Sequence, residues 1–487
     1  MNELEKSAHL LRRFGLGAGH YELSRYPGGS KATLEALLSD DKSPDGLGID
    51  PWQFLTQPDG KLETGSYHLG PWWALRMVLT KTPMTEKLTL FWHDHFALEG
   101  DKVGEAPMMR AYLETLRTKG RGKFRDLLKA VITQGAMLLY LDGHISHKTR
   151  PNENLAREVL ELFTMGEGSG YTETDIKELA RALTGWSMHY MGSYLDEKYE
   201  VTKKRADGAR MAMSNACYVP ALHDDGGKTI LGKSGRFTAE EALDLIASHP
   251  KTAEYICGKL WTFFAYADPA PTVISKLTAV WKKTDGDIRS VLRAISEQPE
   301  FWADRCVRQM PKSPVDWTIA GFRSMGLHEP LMAKHKTPVP DSTPIEKELR
   351  DLGNTAYYLM QQQGLQLLYP PNVAGWNWGA GWIGADTSAK RFKSGDGFFW
   401  TGGETRPYAV QTAAKIKKDF KVTDPTSLVE AFLSIFDGVV TPEQRASLIA
   451  TCEKRGGVKA LDDKNQAAGL FAGMSRVLFA VPQYQLC

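Results

Sequence analysis

Cysteine is scarce in this sequence, with five residues among 487 and no Cys-x-x-Cys spacing. An odd count leaves at least one thiol unpaired, whereas zinc ribbons and disulfide scaffolds need closely spaced or paired cysteines. We interpret the five as free thiols of a reducing compartment. The sequence also lacks an apolar run of the roughly 18 residues that a membrane helix needs. We therefore expect no membrane span.

Neither sign of charge is in excess, since 60 Lys and Arg residues stand against 58 Asp and Glu residues. A net charge of +2 supplies no field for nucleic acid, which is therefore not an expected partner. Residues 1–6 carry acids where a secretory leader carries bases, and no apolar run follows them. As written, the sequence predicts a cytoplasmic protein; a trimmed leader would make it an exported one.

Common catalytic motifs are absent as well. The sequence contains no HExxH helix, no GxSxG elbow and no strand-linked GxGxxG. These absences argue against zincin proteolysis and α/β-hydrolase chemistry.

What the sequence has in abundance is helical periodicity, in a chain with 42% hydrophobic and 24% charged residues. Strand signals cluster between 186 and 235. We predict a mainly α protein, with a large multi-helix, bundle-like body and a small inserted β-hairpin lobe. The predicted parts are an N-terminal helical part (1–185), the lobe (186–235), a C-terminal helical part with a Trp-rich loop (236–395) and a helical tail (396–487).

The segment 91–96 concentrates side chains that bind metals, with His93, Asp94 and His95 in succession. Helical positions two apart point about 200° away from each other, so His93 and His95 share a metal only if the helix frays. The alternative is that His95 is a core histidine hydrogen-bonded across helices, while His93 caps the helix or is solvated.

Glu158 and Glu161 form a second candidate, because their i, i+3 spacing on a predicted helix over 152–165 projects both carboxylates from one face. Helix bundles build carboxylate metal sites in this way. Arg157, four positions before Glu161, offers the alternative of a surface salt bridge. The next helix has the same ambiguity at Asp175, Glu178 and Arg181.

Two loops complete the candidates. His223 and Asp224 precede glycines that let a backbone approach a ligand closely, although a tight hairpin turn needs the same residues. The Trp-rich loop, 370–382, carries three indoles among small residues. It either walls a pocket, with Trp376, Trp378 and Asn372 as substrate contacts, or packs its indoles on the core.

These segments together resemble the bacterial family catalogued as domain of unknown function 1800. The most specific matches are PNENLARE and LELFTMG within 151–166, then YTE and ARALTGW within 171–186. The other matching segments are 8–15, 90–96, 124–128, 223–232 and 370–376. The resemblance implies a predominantly helical fold and a shared polar constellation, but it supplies no reaction. Many family members carry export leaders, which this sequence lacks.

We hypothesise a metal-dependent enzyme, either a hydrolase or an oxidoreductase, with a His and carboxylate site between helices. Asp224 would serve as the base, and Arg157 or Arg181 would steady an anionic intermediate. Such a mixed ligand set suits Zn, Mn or Fe. The predicted metal ligands are His93, His95, Glu158, Glu161 and His223.

The rival hypothesis is a non-catalytic binding or scaffold protein, whose Trp-rich loop contacts a protein or a glycan. The partner in either case is an unidentified small molecule, glycan or protein. The metal hypothesis predicts that His95 lies within metal-bridging reach of Glu158 or Glu161. It also predicts that the loop around Trp376 walls the same cavity as His223.

Overall fold

A computed structural model describes the chain except for residues 43, 44, 46, 64, 190–214, 334, 336–342 and 401–404. Helices predominate over the described residues, and the described strands form two small two-stranded sheets. The prediction of a mainly α fold is therefore confirmed.

The helices before the first strand begin close to the N-terminus. They are α1 (Glu3–Phe14), α2 (His20–Leu23), α3 (Gly29–Leu38), α4 (Pro51–Leu55), α5 (Leu69–Leu79), α6 (Pro83–His95), α7 (Gly100–Val103), α8 (Ala106–Lys119), α9 (Phe124–Ile132), α10 (Gly135–Tyr140), α11 (Glu153–Glu161) and α12 (Glu173–Ala182).

The strands of the described chain all lie where the sequence predicts them, between 186 and 235. They are β1 (Trp186–His189), paired antiparallel with β2 (Asn215–Tyr218), and β3 (Lys228–Ile230), paired antiparallel with β4 (Lys233–Gly235). The stretch 190–214, which is predicted as part of the lobe, lies outside the described residues.

Helices resume after the strands and continue to the C-terminus. They are α13 (Ala239–Ala247), α14 (Pro250–Phe264), α15 (Pro271–Thr284), α16 (Ile288–Ser296), α17 (Pro314–Ser324), α18 (His328–Met332), α19 (Lys347–Gln362), α20 (Ala385–Phe399), α21 (Pro407–Asp419), α22 (Pro425–Ile435), α23 (Pro442–Lys454) and α24 (Lys464–Phe479).

Local sequence explains where several helices begin. The Asn152 side chain accepts hydrogen bonds from the backbone N–H groups of Asn154 and Leu155 at the start of α11, as the sequence predicts. Thr172 and Asp175 form the predicted capping box at the start of α12. These caps satisfy backbone donors that the first helical turn leaves without partners.

The centre of the molecule is α6, in which every residue is buried. A helix buried on all faces must satisfy its polar side chains internally, because water does not reach them. On one side Phe91 packs edge to face on Phe263 of α14, with ring centroids 5.2 Å apart. This crossing of α6 and α14 positions the site described below.

The C-terminal helices share the hydrophobic core of the rest of the chain. Helix α20 runs across the predicted boundary between 395 and 396, and its Phe399 ring lies 5.2 Å from Phe471 of α24. The division into four parts stays a prediction. No helix in the described part of the chain is long and apolar enough to span a membrane.

Candidate functional site

His93 lies inside the core and is fully buried. Its ring packs edge to face on Trp73, Tyr112 and Trp376, with centroids 5.4 to 5.8 Å away. Neither ring nitrogen has a hydrogen-bond partner among the described residues. Burial lowers the pKa of His93 to about 3, so the imidazole is neutral.

His95 is buried, as the helical periodicity predicts, but its neighbours differ from those of His93. Its Nε2–H donates to the carbonyl oxygen of Phe163, 3.0 Å away. Burial, together with the charge of Lys259, lowers the pKa of His95 well below its usual value. The rings around His95 differ from those around His93, which is the outcome expected for helical positions two apart.

In the acidic pair of α11, Glu161 has an ion-pair partner on its own helix. Arg157 contacts Glu161 at 3.4 Å and Glu173 of α12 at 2.7 Å, which ties the two helices together. Glu158 is half-buried, and burial followed by the charge of Glu161 raises its pKa. This arrangement matches the salt-bridge alternative for Arg157 and Glu161.

The loop 223–228 is clamped to α12. Arg181 donates two hydrogen bonds to the Asp224 carboxylate, at 2.8 and 3.2 Å, and forms an ion pair with Glu178. His223 donates from Nδ1 to the carbonyl of Thr184, 2.9 Å away. The hydrogen bonds from Arg181 lower the pKa of Asp224, which argues against the predicted role of this carboxylate as a base.

The five predicted metal ligands are therefore not brought together. In the part of the chain that the structure describes, no group of three or more His, Cys, Asp or Glu side chains is arranged to hold a metal ion. Nε2 of His95 is engaged by the Phe163 carbonyl, and the expected approach of His95 to the α11 carboxylates stays a prediction. Metal binding itself stays a prediction.

The Trp-rich loop folds back onto α6. The backbone N–H of Trp376 donates to Asp94 Oδ1 at 2.7 Å, and the Trp376 indole is 6% exposed against His93. Gly375 has a φ of +84° and lies so close that a Cβ would stand 2.3 Å from Asp94 Oδ1. Exposed Asn372 accepts the N–H of Ala374 within the loop. Close packing on Asp94 thus positions the loop.

A cavity of about 390 Å³ opens between α6, α14 and this loop. Its volume lies in the range of small-molecule sites. Its lining residues share one face of each helix, because Phe91 and Asp94 are three positions apart on α6, and Tyr255, Lys259 and Phe263 are four positions apart on α14. The principal lining residues are Phe91, Asp94, Tyr255, Lys259, Phe263 and Trp378. His223 does not line it, so the expectation of a cavity shared by His223 and the Trp-rich loop is wrong for this cavity.

The acid–base candidates of this cleft are a carboxyl and an amine, while Thr262 and exposed Glu254, which pairs with Lys251, also line it. Asp94 is 5% exposed, and burial raises its pKa to about 6 against the opposing effects of Lys259, the Trp376 N–H and the Trp378 indole. Burial likewise lowers the pKa of Lys259, against the opposing charge of Asp94. Each group therefore titrates closer to neutrality than usual, which is typical of acid and base groups in active sites.

Lys259 lies over the Tyr255 ring, with the ammonium nitrogen 5.6 Å from the centroid. Within the described residues it has no hydrogen bond and no ion pair closer than 4 Å. A partly buried lysine without an acceptor is costly to keep charged. The hydrogen-bonding capacity of Lys259 is thus left for a ligand.

Asp94 and Lys259 are the residues that sequence patterns did not single out. Asp94 lies between His93 and His95 in the sequence and was noted only together with them, as one of three side chains that bind metals. Lys259 had only a weak signal, namely that it shares a helical face with Tyr255 and Phe263. What no local pattern shows is that α6 and α14 meet at these two positions.

The comparisons with known proteins agree with the resemblance seen in the sequence. The chain matches the family described as "Protein of unknown function (DUF1800)" over residues 9–486. This match extends beyond the segments that carried the resemblance and takes in the C-terminal helices. No curated protein and no solved structure shows significant similarity to the chain. Because the match covers nearly the whole chain, the protein belongs to the DUF1800 family.

Proposed function

We propose that the protein is an enzyme that moves protons on a small, partly apolar substrate bound in the cleft between α6 and α14. Asp94 is the acid–base group. The observation that carries the proposal is that the Asp94 carboxyl and the Lys259 amine line one aromatic-walled cavity. Titratable groups with pKa values shifted toward neutrality in a concave site are a common mark of catalysis.

The geometry of Asp94 suits proton transfer. The Trp376 N–H holds Oδ1 in place, and the Trp378 indole lies beside the carboxyl without a well-directed hydrogen bond. Oδ2 is therefore left for a ligand. A carboxyl with a pKa of about 6 is present in both protonation states near neutral pH, so it can donate or accept a proton.

The walls of the cleft define the kind of substrate. Phe91, Tyr255, Phe263 and Trp378 supply aromatic surface, and the Trp378 ring packs edge to face on Phe263 at 4.8 Å. Aromatic surface favours ligands with apolar faces, such as planar rings or the carbon faces of sugars. The substrate thus presents a reactive polar group toward Asp94 and Lys259 and an apolar body toward the rings.

A metal-dependent hydrolase or oxidoreductase is the second proposal. His93 has two buried nitrogens and His95 one that lack hydrogen-bond partners among the described residues, and a divalent ion would satisfy such donors. The fit is incomplete, because Glu161 and His223 are engaged elsewhere. Metal analysis of protein purified without chelator tests it: one Zn, Mn or Fe per chain supports it, and trace metal contradicts it.

Turnover distinguishes the enzyme from the rival binding protein, in which Asp94 would only hold the loop. The probes are small ketones, followed by proton exchange in heavy water, and nitrophenyl esters and glycosides, followed by hydrolysis. We expect Asp94→Asn to lower turnover by about 10² to 10⁴, with exposed Asp304→Asn as the matched control. Turnover that Asp94→Asn leaves unchanged would contradict the proposal.

A further inference from the structure

We infer that Lys259 is the nucleophile of this site and that its amine forms an imine with an aldehyde or ketone substrate. The inference rests on the proposed function of the cleft and adds the chemical class of its substrate. Three observations carry it: the lack of any acceptor for Lys259, the apolar walls around it, and the carboxyl that shares its cavity.

The surroundings of Lys259 differ from those of the buried lysines Lys87 and Lys228. Buried Lys312 also has no acceptor among the described residues, but it lies over the Tyr484 ring and does not line the cleft. Lys87 forms an ion pair with Asp316, and Lys228 donates to the carbonyl oxygens of Asp224 and Gly226. Lys259 lies over the face of Tyr255 and has no hydrogen bond or ion pair among the residues that the structure describes. Such a lysine is not an ion-pair anchor of the fold, which leaves its amine available for chemistry.

The apolar surroundings favour a neutral amine. Phe91, Phe263 and Trp378 offer no counter-charge, so removing the proton from Lys259 relieves part of the cost of burial. Desolvation in an apolar pocket is a known means of activating a lysine as a nucleophile. The lowered pKa of Lys259 agrees with this geometry.

A neutral carbonyl compound fits the cleft better than an anionic ligand. An anion near Lys259 would also lie near the Asp94 carboxylate, and like charges in an apolar cavity repel each other strongly. A carbonyl group carries no net charge and presents its electrophilic carbon to the amine. The apolar substituents of an aldehyde or ketone would then pack on the aromatic walls.

The chemical step needs no oxidant or reductant. The Lys259 lone pair forms a bond to the carbonyl carbon, and the carbonyl π pair moves to oxygen, which gains a proton while nitrogen loses one. Protonation of the resulting hydroxyl by Asp94 breaks the C–O bond and releases water as nitrogen forms a double bond to carbon. The balance is one carbonyl compound plus neutral Lys259 and protonated Asp94 giving one protonated imine, one Asp94 carboxylate and one water.

The test uses the intact protein and 2,4-pentanedione, a small diketone that condenses with free amines to give a product absorbing in the near ultraviolet. Peptide mapping by mass spectrometry locates the modified lysines. We expect Lys259 to react before the exposed lysines, because desolvation in the apolar cleft lowers its pKa and favours the free amine. Equal reaction over surface lysines, with Lys259 spared, would overturn the inference.

Matched variants make the result specific. Lys259→Met and Lys259→Arg should both abolish the fast phase, and Arg keeps the charge and stem in case Met disturbs folding. Lys276→Met, at an exposed site on α15, should leave the fast phase unchanged. A fast phase that persists in the Lys259 variants would contradict the inference.

The inference and the proposed function fail in different ways. If turnover depends on Asp94 but Lys259 forms no adduct, the imine is wrong and proton transfer by Asp94 stands. If Lys259 forms the adduct but Asp94→Asn leaves turnover intact, the acid–base role of Asp94 is wrong and the reactive amine stands.

Discussion

The backbone N–H of Trp376 donates a hydrogen bond of 2.7 Å to Asp94 Oδ1, joining the last turn of α6 to a loop 282 residues later in the chain. This bond does two things at once. It holds one oxygen of the proposed acid–base group, and it sets the loop so that Trp378 closes one wall of the cleft. The loop and the carboxyl therefore form one functional unit.

Gly375 is the residue that makes this close approach feasible. We expect Gly375→Ala to lower the free energy of unfolding by at least about 3 kcal/mol, because a Cβ adds a 2.3 Å clash with Asp94 to the strain of a left-handed conformation. Denaturant unfolding measures the loss. Gly379→Ala is the matched control, since its φ is +80° and its Cβ would meet nothing within 4 Å. Equal losses in the two variants would contradict the account.

The indoles of Trp376 and Trp378 should separate stability from function. Trp376 is buried against His93, so Trp376→Ala should cost about 3 to 5 kcal/mol of folding free energy. Trp378 is partly exposed and lines the cavity. Trp378→Ala should therefore lower stability less than Trp376→Ala does, and it should weaken ligand binding more. Thermal unfolding and modification of Lys259 by 2,4-pentanedione, measured on both variants, test the contrast. Similar stability losses would mean that both indoles only support the core.

Much of the fold could be predicted because its signals are local. The Asn152 cap, the Thr172 capping box and the confinement of strands to 186–235 each depend on residues within a few positions of one another. Helical periodicity likewise predicts that His95 points into the core. These features follow from backbone geometry and from the hydrogen bonds of helix termini, which tertiary contacts did not override here.

The site could be predicted only in part, because the hydrogen-bond and ion-pair partners of its side chains are determined by tertiary contacts. A buried imidazole needs an acceptor, and the sequence does not show that a backbone carbonyl, that of Phe163, supplies it for His95. The i, i+4 spacing of Arg157 and Glu161 fits a metal site and a salt bridge equally well, and the position of Glu173 favours the salt bridge. Asp94 and Lys259 meet only because two distant helices cross.

Arg181 tests whether the loop 223–228 is structural or catalytic. We expect Arg181→Met to lower the free energy of unfolding by about 1 kcal/mol, as loss of a partly exposed ion-pair network should. Turnover at the cleft should stay unchanged, because Arg181 does not line it. Asp225→Asn is the control, since that carboxylate is 87% exposed. Loss of turnover at full stability would restore the predicted catalytic role of Arg181.

Ionisation of the Asp94 carboxyl should destabilise the fold near neutral pH, where the proposed chemistry takes place. Its folded-state pKa of about 6 lies above the ordinary value of 3.8, so between these values the folded state binds more protons than the unfolded state. Stability contributed by this group is therefore lost as pH rises through 6. Asp94→Asn removes the titration, and Asn can still accept the Trp376 N–H.

The wild type should therefore lose stability relative to Asp94→Asn as the pH rises. Between about pH 4 and about pH 8, the free energy of unfolding of the wild type should fall by roughly 2 to 3 kcal/mol relative to that of the variant. Urea unfolding at several pH values measures it, and the difference cancels the titration of all other groups. Asp304→Asn, at an exposed carboxylate, should show a flat difference over the same range. A flat difference for Asp94→Asn as well would mean that the Asp94 carboxyl ionises normally and is a weaker acid–base group than we propose.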